Sequence, residues 1–444
     1  MPESITSLFT PQFIVSVCVL AVMVGVVLHS VAYSIYLERK ISAYIQDRIG
    51  PNRAGFDFGQ EWLRFLGHDG FTKGLWGLGQ PMADGLKFLL KEDYRPARTD
   101  KVLFTLAPVM IIVPALIGFA IIPWGGLWQV GGELVHVAGA NVNVGVIYLL
   151  AVASVGVYGV TIGGWASNNK YSFLGGLRAT AQMISYEIPL GMALLATLLV
   201  MGTFVPQGII EHQAHHGWGM FNMPLAAVLF FICSLAESNR APFDNAEAEQ
   251  ELVGGYHTEY SSMRFAMFFL AEYAHMITGM SFFVLLFWGG YQVPGIPWLQ
   301  PDVYGAGLAG FGIVFLKFFV FFTKVMLLIC FQMVIRWTLP RLRYDQVMML
   351  NWQSLIPIGL TLVVATSFMV HFGQTNWLPL FVMNVVLIAG VVGVQNLFPH
   401  STANRKIPLY GSRFSPVPGT LVSTAPTDPM ALEDRPAQGT VSTS

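Results

Sequence analysis

The chain reads as an all-α, polytopic integral membrane protein, and three observations predict that class. Charged residues make up 11% of its 444 residues while 54% are hydrophobic, against about 25% charged in ordinary soluble domains. Apolar runs long enough to cross a bilayer recur along most of its length, and the Lys and Arg residues collect in every second loop between them. A net charge of -1 without a basic patch argues against a nucleic-acid partner.

A hydrocarbon core of about 30 Å needs roughly 20 apolar residues per helical crossing. Runs near 12–37, 102–123, 143–165, 181–204, 221–236, 264–290, 308–336 and 353–372 predict eight core transmembrane helices, and 378–397 predicts a ninth. No Lys or Arg precedes the first run and no small-residue cleavage site follows it, so a retained helix is expected rather than a signal peptide. The fifth run is short. The last two are joined only by FGQTN, as in a tight helical hairpin or a single misread segment. Between the first two runs, QPMADGLKFLLKE (80–92) puts Met82, Leu86, Leu89 and Leu90 toward one side at helical spacing, which predicts an interfacial amphipathic helix. Beyond Pro399 the chain turns to Ser, Thr, Pro and Gly, and a disordered tail is expected over 401–444.

Side follows from basic residues. Loop 38–101 holds eleven, 166–180 two, 237–264 two, 336–350 three and the tail four; the other two, Lys317 and Lys324, lie within the seventh run. The opposite loops have none. The positive-inside rule then makes the charged side cytoplasmic, with the N-terminus outside and, after nine spans, the C-terminus inside.

The chemistry is sparse. Cys18, Cys233 and Cys330 fall singly in apolar runs, which suits buried packing and not a disulfide framework or iron–sulfur site. Neither GxGxxG nor GxxxxGK[ST] occurs, so nucleotide chemistry is expected elsewhere. His212, His215 and His216 in EHQAHH have spacing for a metal but no convincing further ligand, while His29, His275 and His371 stand one per helix. No metal site is expected.

Carboxylates carry the interest, because an ionisable group within a bilayer costs about 2.5 to 3.5 kcal/mol and persists where it pairs or works. Glu187, in AQMISYEIPLG, precedes Pro189, and Glu272 lies in FFLAEYAHM; each adjoins a tyrosine, Tyr186 or Tyr273. Their two readings are a protonation role or a packing pair with Lys317, Lys324 or an arginine. The stretch AESNRAPFDNAEAEQELVGGYHTEY (236–260) holds six of the chain's 25 acids: Glu237, Asp244, Glu247, Glu249, Glu251 and Glu259. Asp244 is placed to cap a helix starting at Asn245 or Ala246, in which Glu247 and Glu251 share a face and repel. Such a pair shares protons if it is shielded from water; otherwise the stretch is a solvated acidic loop. Arg240 and Phe243 beside the acids suit a lined cavity.

Six stretches follow one another along the chain: LERKISAYIQDRIGPNRAG (37–55), LGQPMADGLKFLLKEDYRPA (78–97), QMISYEIPLG (182–191), the acidic stretch, FLAEYAHM (269–276) and RWTLPRLRYDQ (336–346). They closely resemble, in the same order, successive motifs of the H subunit of the proton-pumping NADH:quinone oxidoreductase, respiratory complex I. The resemblance covers roughly residues 10–372. It implies a bacterial inner-membrane component at the heel of the membrane arm, with lipid, quinone and the other membrane-arm and peripheral-arm subunits as its partners. It also implies no cofactor on this chain, quinone as substrate, and flavin mononucleotide and iron–sulfur clusters on partner subunits. Matched residue by residue, Arg39, Arg48, Arg240, Phe243 and Arg336 would line or anchor the quinone tunnel. Asp84, Glu187, Glu237, Asp244, Glu247, Glu249, Glu251 and Glu272 would supply the proton path. Arg39, Arg48, Arg336, Arg341 and Arg343 also suit pairing with headgroups or neighbouring subunits.

Two features depart from the family. It usually ends after its eighth helix, which sets segment 373–400 apart from a membrane domain spanning 1–372, and Asn245 stands where an apolar residue is common after PFD. Two rival functions remain, a proton- or cation-coupled secondary transporter and a non-catalytic scaffold for a peripheral arm. The transporter predicts two similar halves with interrupted helices in matching positions, and Glu272 has no counterpart of Pro189.

Overall fold

A computed structural model of the chain describes residues 10–52, 54–55, 75–245 and 254–395. The first helix, α1 (Pro11–Ile45), starts at an N-cap Thr10 whose hydroxyl accepts from the Phe13 N–H, with Pro11 in the first turn where its missing donor is harmless. It runs eight residues past the apolar stretch that predicts it, because LERKISAYI is a good helical sequence and hydropathy marks only the part suited to lipid. The amphipathic α2 (Gln80–Leu90) follows, with Met82, Leu86, Leu89 and Leu90 all exposed on a face suited to lipid. Two carbonyls at its C-terminal end, those of Phe88 and Lys91, receive the Ser262 hydroxyl at 2.9 and 3.0 Å.

The remaining elements are α3 (Lys101–Ile117), a hairpin of β1 (Leu127–Val130) and β2 (Glu133–His136), α4 (Gly145–Ala166), α5 (Lys170–Met201), α6 (Pro206–His216), α7 (Pro224–Glu237), α8 (Ser262–Phe287) and α9 (Gly307–Thr338). They are followed by α10 (Tyr344–His371), with a π-helical turn at Leu350–Leu355, and α11 (Trp377–Gln395). Among the described residues seven helices are long and apolar enough to cross a membrane, and Pro224–Glu237 and Trp377–Gly393 are shorter apolar helices. These nine match the nine predicted runs, and the protein is a polytopic all-α membrane protein. Two compact units divide the chain, Met1–Ala389 and Gly390–Ser444. The tail expected over 401–444 lies outside the described residues.

The core centres on α5, α7 and α8, where Ala193, Ala196, Ala226, Ala236 and Ala274 are fully buried. Small side chains let helices approach closely, which is how bundles pack when lipid removes the usual hydrophobic gain. The α3–α4 crossing shows this most sharply: a Cβ on Gly159 would lie 2.2 Å from Ile111 Cγ1 and 2.9 Å from the Ala107 oxygen. Toward the far end, remote from the basic loops, Phe230 meets Phe282, Phe283 and Phe287 at centroid distances of 5.4, 6.2 and 5.8 Å.

The hairpin is an addition to the all-helical reading. Its antiparallel register pairs Leu127 with His136 and Val130 with Glu133 across Gly131-Gly132, both at positive φ. The sequence does carry its signal, since GG between LWQV and ELVH is a two-residue hairpin sequence. Gln12 pins it to α1, donating to the His136 carbonyl at 3.1 Å and accepting from the His136 N–H at 2.9 Å.

Candidate functional site

Four separate elements bring charge together at the basic end of the bundle. Glu38 projects from the extra turns of α1, Glu272 and Tyr273 from α8, Arg336 from the last turn of α9, and Arg240 from the segment after α7. Arg240 Nε lies 2.6 Å from Glu272 Oε1 and its Nη1 lies 3.5 Å from Glu38 Oε2. The Arg336 guanidinium and the Tyr273 hydroxyl both donate to Glu38. The Arg240 guanidinium also stacks over the Tyr273 ring, 4.1 Å from its centroid. Glu38 is 6% exposed and Arg240 3%, so these charges depend on one another instead of on water.

The loop carrying Arg240 is fixed by neutral polar contacts. Gln182, fully buried on α5, donates to the Ala236 and Phe243 carbonyls at 3.1 and 3.0 Å and to Asn239 Oδ1 at 3.2 Å. Asn239 adopts positive φ, a conformation asparagine tolerates better than most residues, which turns the chain out of α7. Phe243 packs its ring against Tyr186 at 5.5 Å, and the Tyr186 hydroxyl donates to the Val347 carbonyl at 2.9 Å. Asp244 does not stand as a free cap: its Oδ2 lies 3.1 Å from Arg341 Nη2, and the carbonyl of Pro242 accepts from Leu342 N–H at 3.0 Å. Asn245 follows it, and the helix expected there, with Glu247, Glu249 and Glu251, lies outside the described residues.

Beside the cluster, α1, α2, the 254–260 turn and α8 line an open pocket of about 410 Å³. Ile35, Phe88, Phe265 and Phe269 give it apolar walls, and Arg39, Asp84 and His257 give it polar ones. Arg39 Nη1 lies 2.8 Å from Asp84 Oδ2, tying α1 to α2, and Gln80 donates to Asp84 Oδ1 at 3.0 Å. Phe269 sets its ring against Tyr273 at 5.0 Å, so the pocket wall touches the residue that bonds Glu38. Burial drives the His257 pKa down from 6.5 to about 4, which keeps the ring neutral, and burial pushes the Tyr260 hydroxyl up.

Other predicted residues sit apart from this group. Glu187 accepts from the Ser154 hydroxyl, an α5–α4 contact, and α5 stays helical past Pro189. Glu237 ends α7 and lines a separate small cavity. Arg48 donates to Gln46, two residues before it, on the exposed chain after α1. Arg343 pairs with Asp345 at 3.1 Å on the surface.

Lys317 and Lys324 do not serve as partners of the intramembrane acids. Lys324 Nζ donates to the carbonyls of Trp288, Gly290 and Gln292 at 2.7, 2.9 and 2.7 Å, and Lys317 Nζ to that of Val303 at 2.7 Å. Glu272 instead pairs with an arginine. Glu38 is the residue sequence reasoning passes over: it follows directly on an apolar run and looks like the first residue of a loop. Its signal is an acid inside LERK, where the helical pattern continues. Among the described residues no three His, Cys, Asp or Glu side chains are grouped to hold a metal ion.

Fold and site together define a helical membrane protein that keeps carboxylates and guanidinium groups paired in its interior beside a pocket of mixed character. The family model described as NADH dehydrogenase matches residues 18–367, and the chain belongs to that family. It is 42% identical over 353 residues to the H subunit of NADH-quinone oxidoreductase from Flavobacterium johnsoniae, covering 79% of this chain and 93% of the relative. It is 44% identical over 367 residues to H subunit 1 of the same enzyme from Geobacter sulfurreducens, with coverage of 79% and 93%. H subunit 1 from Cytophaga hutchinsonii is 43% identical over 335 residues, with coverage of 76% and 90%.

Proposed function

We propose that this chain is the H subunit of a bacterial NADH:quinone oxidoreductase in the inner membrane, with its basic loops on the cytoplasmic side, and that it guides quinone and couples quinone reduction to proton translocation. Residues 1–372 form the working domain and 373–400 an added span. The flavin and iron–sulfur clusters sit on partner subunits, so this chain transfers no electrons itself.

The observation that carries the reading is the contact between the 410 Å³ pocket and the Glu38–Arg240–Glu272–Arg336 cluster through Phe269 and Tyr273. A quinone headgroup that takes up two electrons must also take up protons. A buried carboxylate beside it changes protonation or partner in response, and Arg240, shared between Glu38 and Glu272, is the group that such a change releases from one side. Asp84, Glu187, Glu237, Asp244, Glu247, Glu249 and Glu251 continue the acid path, and Arg39, Arg48 and Phe243 belong to the tunnel and its anchors. The scale suffices: a two-unit pKa change is about 2.7 kcal/mol, against about 2.3 kcal/mol to move one charge through 100 mV.

The test uses the assembled complex in sealed vesicles. Glu272→Gln and Glu187→Gln are expected to assemble and to lower proton translocation together with coupled turnover, on the order of tenfold. Native rates and native proton-to-electron ratios in both variants would remove these acids from the path.

A further inference from the structure

Helices α5 and α10 are both irregular where they touch. In α5, Pro189 has no N–H to give the carbonyl four residues back, which is that of Ser185. Asn351 of α10 is fully buried, and its Nδ2 donates to that carbonyl at 2.6 Å, so α10 supplies the hydrogen bond that α5 cannot make for itself. A proline inside a membrane helix is tolerated where a neighbouring helix satisfies the group it leaves bare. The next residue of α5 returns the contact: the Tyr186 hydroxyl donates to the Val347 carbonyl at 2.9 Å, one turn before Asn351. Each helix therefore offers a side chain to a carbonyl of the other.

The π-helical turn at Leu350–Leu355 explains how α10 reaches both points. Its buried face runs Val347, Asn351, Leu355, Gly359, three steps of four residues. A regular helix lets such a row drift by about 40° per step. The wider π turn, in which the Ile356 N–H donates to the Asn351 carbonyl five residues back, offsets that drift. Val347 and Asn351 then meet Tyr186 and Ser185, and a Cβ on Gly359 would lie 3.1 Å from Met192 Sδ, also on α5. Glu187 stands midway between Ser185 and Pro189, on the one turn of α5 whose own hydrogen bond is missing, and its carboxylate accepts from Ser154 on α4.

We propose that Asn351 is a positioning residue for Glu187: by holding the carbonyl that Pro189 leaves bare, it fixes the turn that presents the Glu187 carboxylate to α4. The π turn brings Asn351 to that carbonyl. This rests on the role proposed above for Glu187 in the proton path.

The test compares single and double variants of the assembled complex in sealed vesicles. Asn351→Leu removes the donor at similar side-chain volume and is expected to lower the maximal rate of coupled turnover and proton translocation about tenfold, with the apparent KM for quinone native. Pro189→Ala returns an N–H to the Ser185 carbonyl, so the double variant should recover most of that loss. A native translocation rate in Asn351→Leu overturns the proposal, as does a change confined to the KM or a double variant as impaired as the single one. Glu187→Gln separates the two levels. If it lowers translocation while Asn351→Leu does not, only the positioning role fails; if it has no effect, the place of Glu187 in the path fails and the positioning role with it. Should Asn351→Leu not assemble, the double variant decides: recovered assembly and translocation support the proposal, and failure to recover either overturns it.

Discussion

Buried charge is met toward both ends of α8, and the two ends handle it differently. At the basic end Glu272 and Arg336 meet Glu38 and Arg240, so each charge is balanced by another ionisable side chain from a different element. At the far end the Lys324 ammonium is held by three carbonyls of the turn that closes α8, 4.6 Å from the centroid of Trp218. A helix C-terminus favours a cation, and a backbone carbonyl neither titrates nor changes partner. On the proposed reading, the first arrangement is the one that can change partners when a proton arrives. The second joins α9 to the turn after α8 through three hydrogen bonds.

Breaking the movable end should have the largest effect. Arg240→Leu leaves Glu38 and Glu272 buried without their shared counter-charge, a loss of about 3 to 5 kcal/mol. The complex should assemble poorly, and whatever assembles should show weakened quinone use. An unchanged apparent affinity and rate would reject Arg240 as the hub. Lys324→Met comes next, stranding three carbonyls for about 1.5 to 3 kcal/mol. It should lower the thermal midpoint of the detergent-solubilised protein and leave the proton-to-electron ratio alone. A changed ratio would erase the contrast between the ends.

The smallest effect at neutral pH belongs to His257 in the pocket wall. Its folded pKa is depressed to about 4 from 6.5. Protons therefore favour the opened form: the stability of the 254–261 turn is complete above about pH 6.5 and falls as pH drops toward 4. Hydrogen exchange of that turn should speed up over this window in the native chain and stay level in His257→Gln. Equal slopes in both would place the acid sensitivity elsewhere.

Much of this is legible in the sequence because lipid demands it. Nine apolar runs and a one-sided distribution of Lys and Arg follow from the cost of exposing backbone and charge to hydrocarbon. What one helix does next to another is not legible. Lys317 and Lys324 stand out as cations inside an apolar run, yet their carbonyl partners come from loops whose path no periodicity reports. Glu38 is hidden by the opposite error, since hydropathy ends where the helix does not. Glu272 is visible because an acid inside an apolar run has few explanations, and its partner Arg240 is visible only as a member of a motif.

The four phenylalanines Phe230, Phe282, Phe283 and Phe287 lie between the two ends. Phe230 and Phe282 also form part of the wall of the small cavity that Glu237 lines. Such a stack is the dielectric of a small capacitor: with no mobile charge inside it, the voltage across the membrane drops steeply there. On the proton path proposed for this chain, any charge that moves on the Glu237 side of the stack does almost no electrical work, and the voltage is met elsewhere.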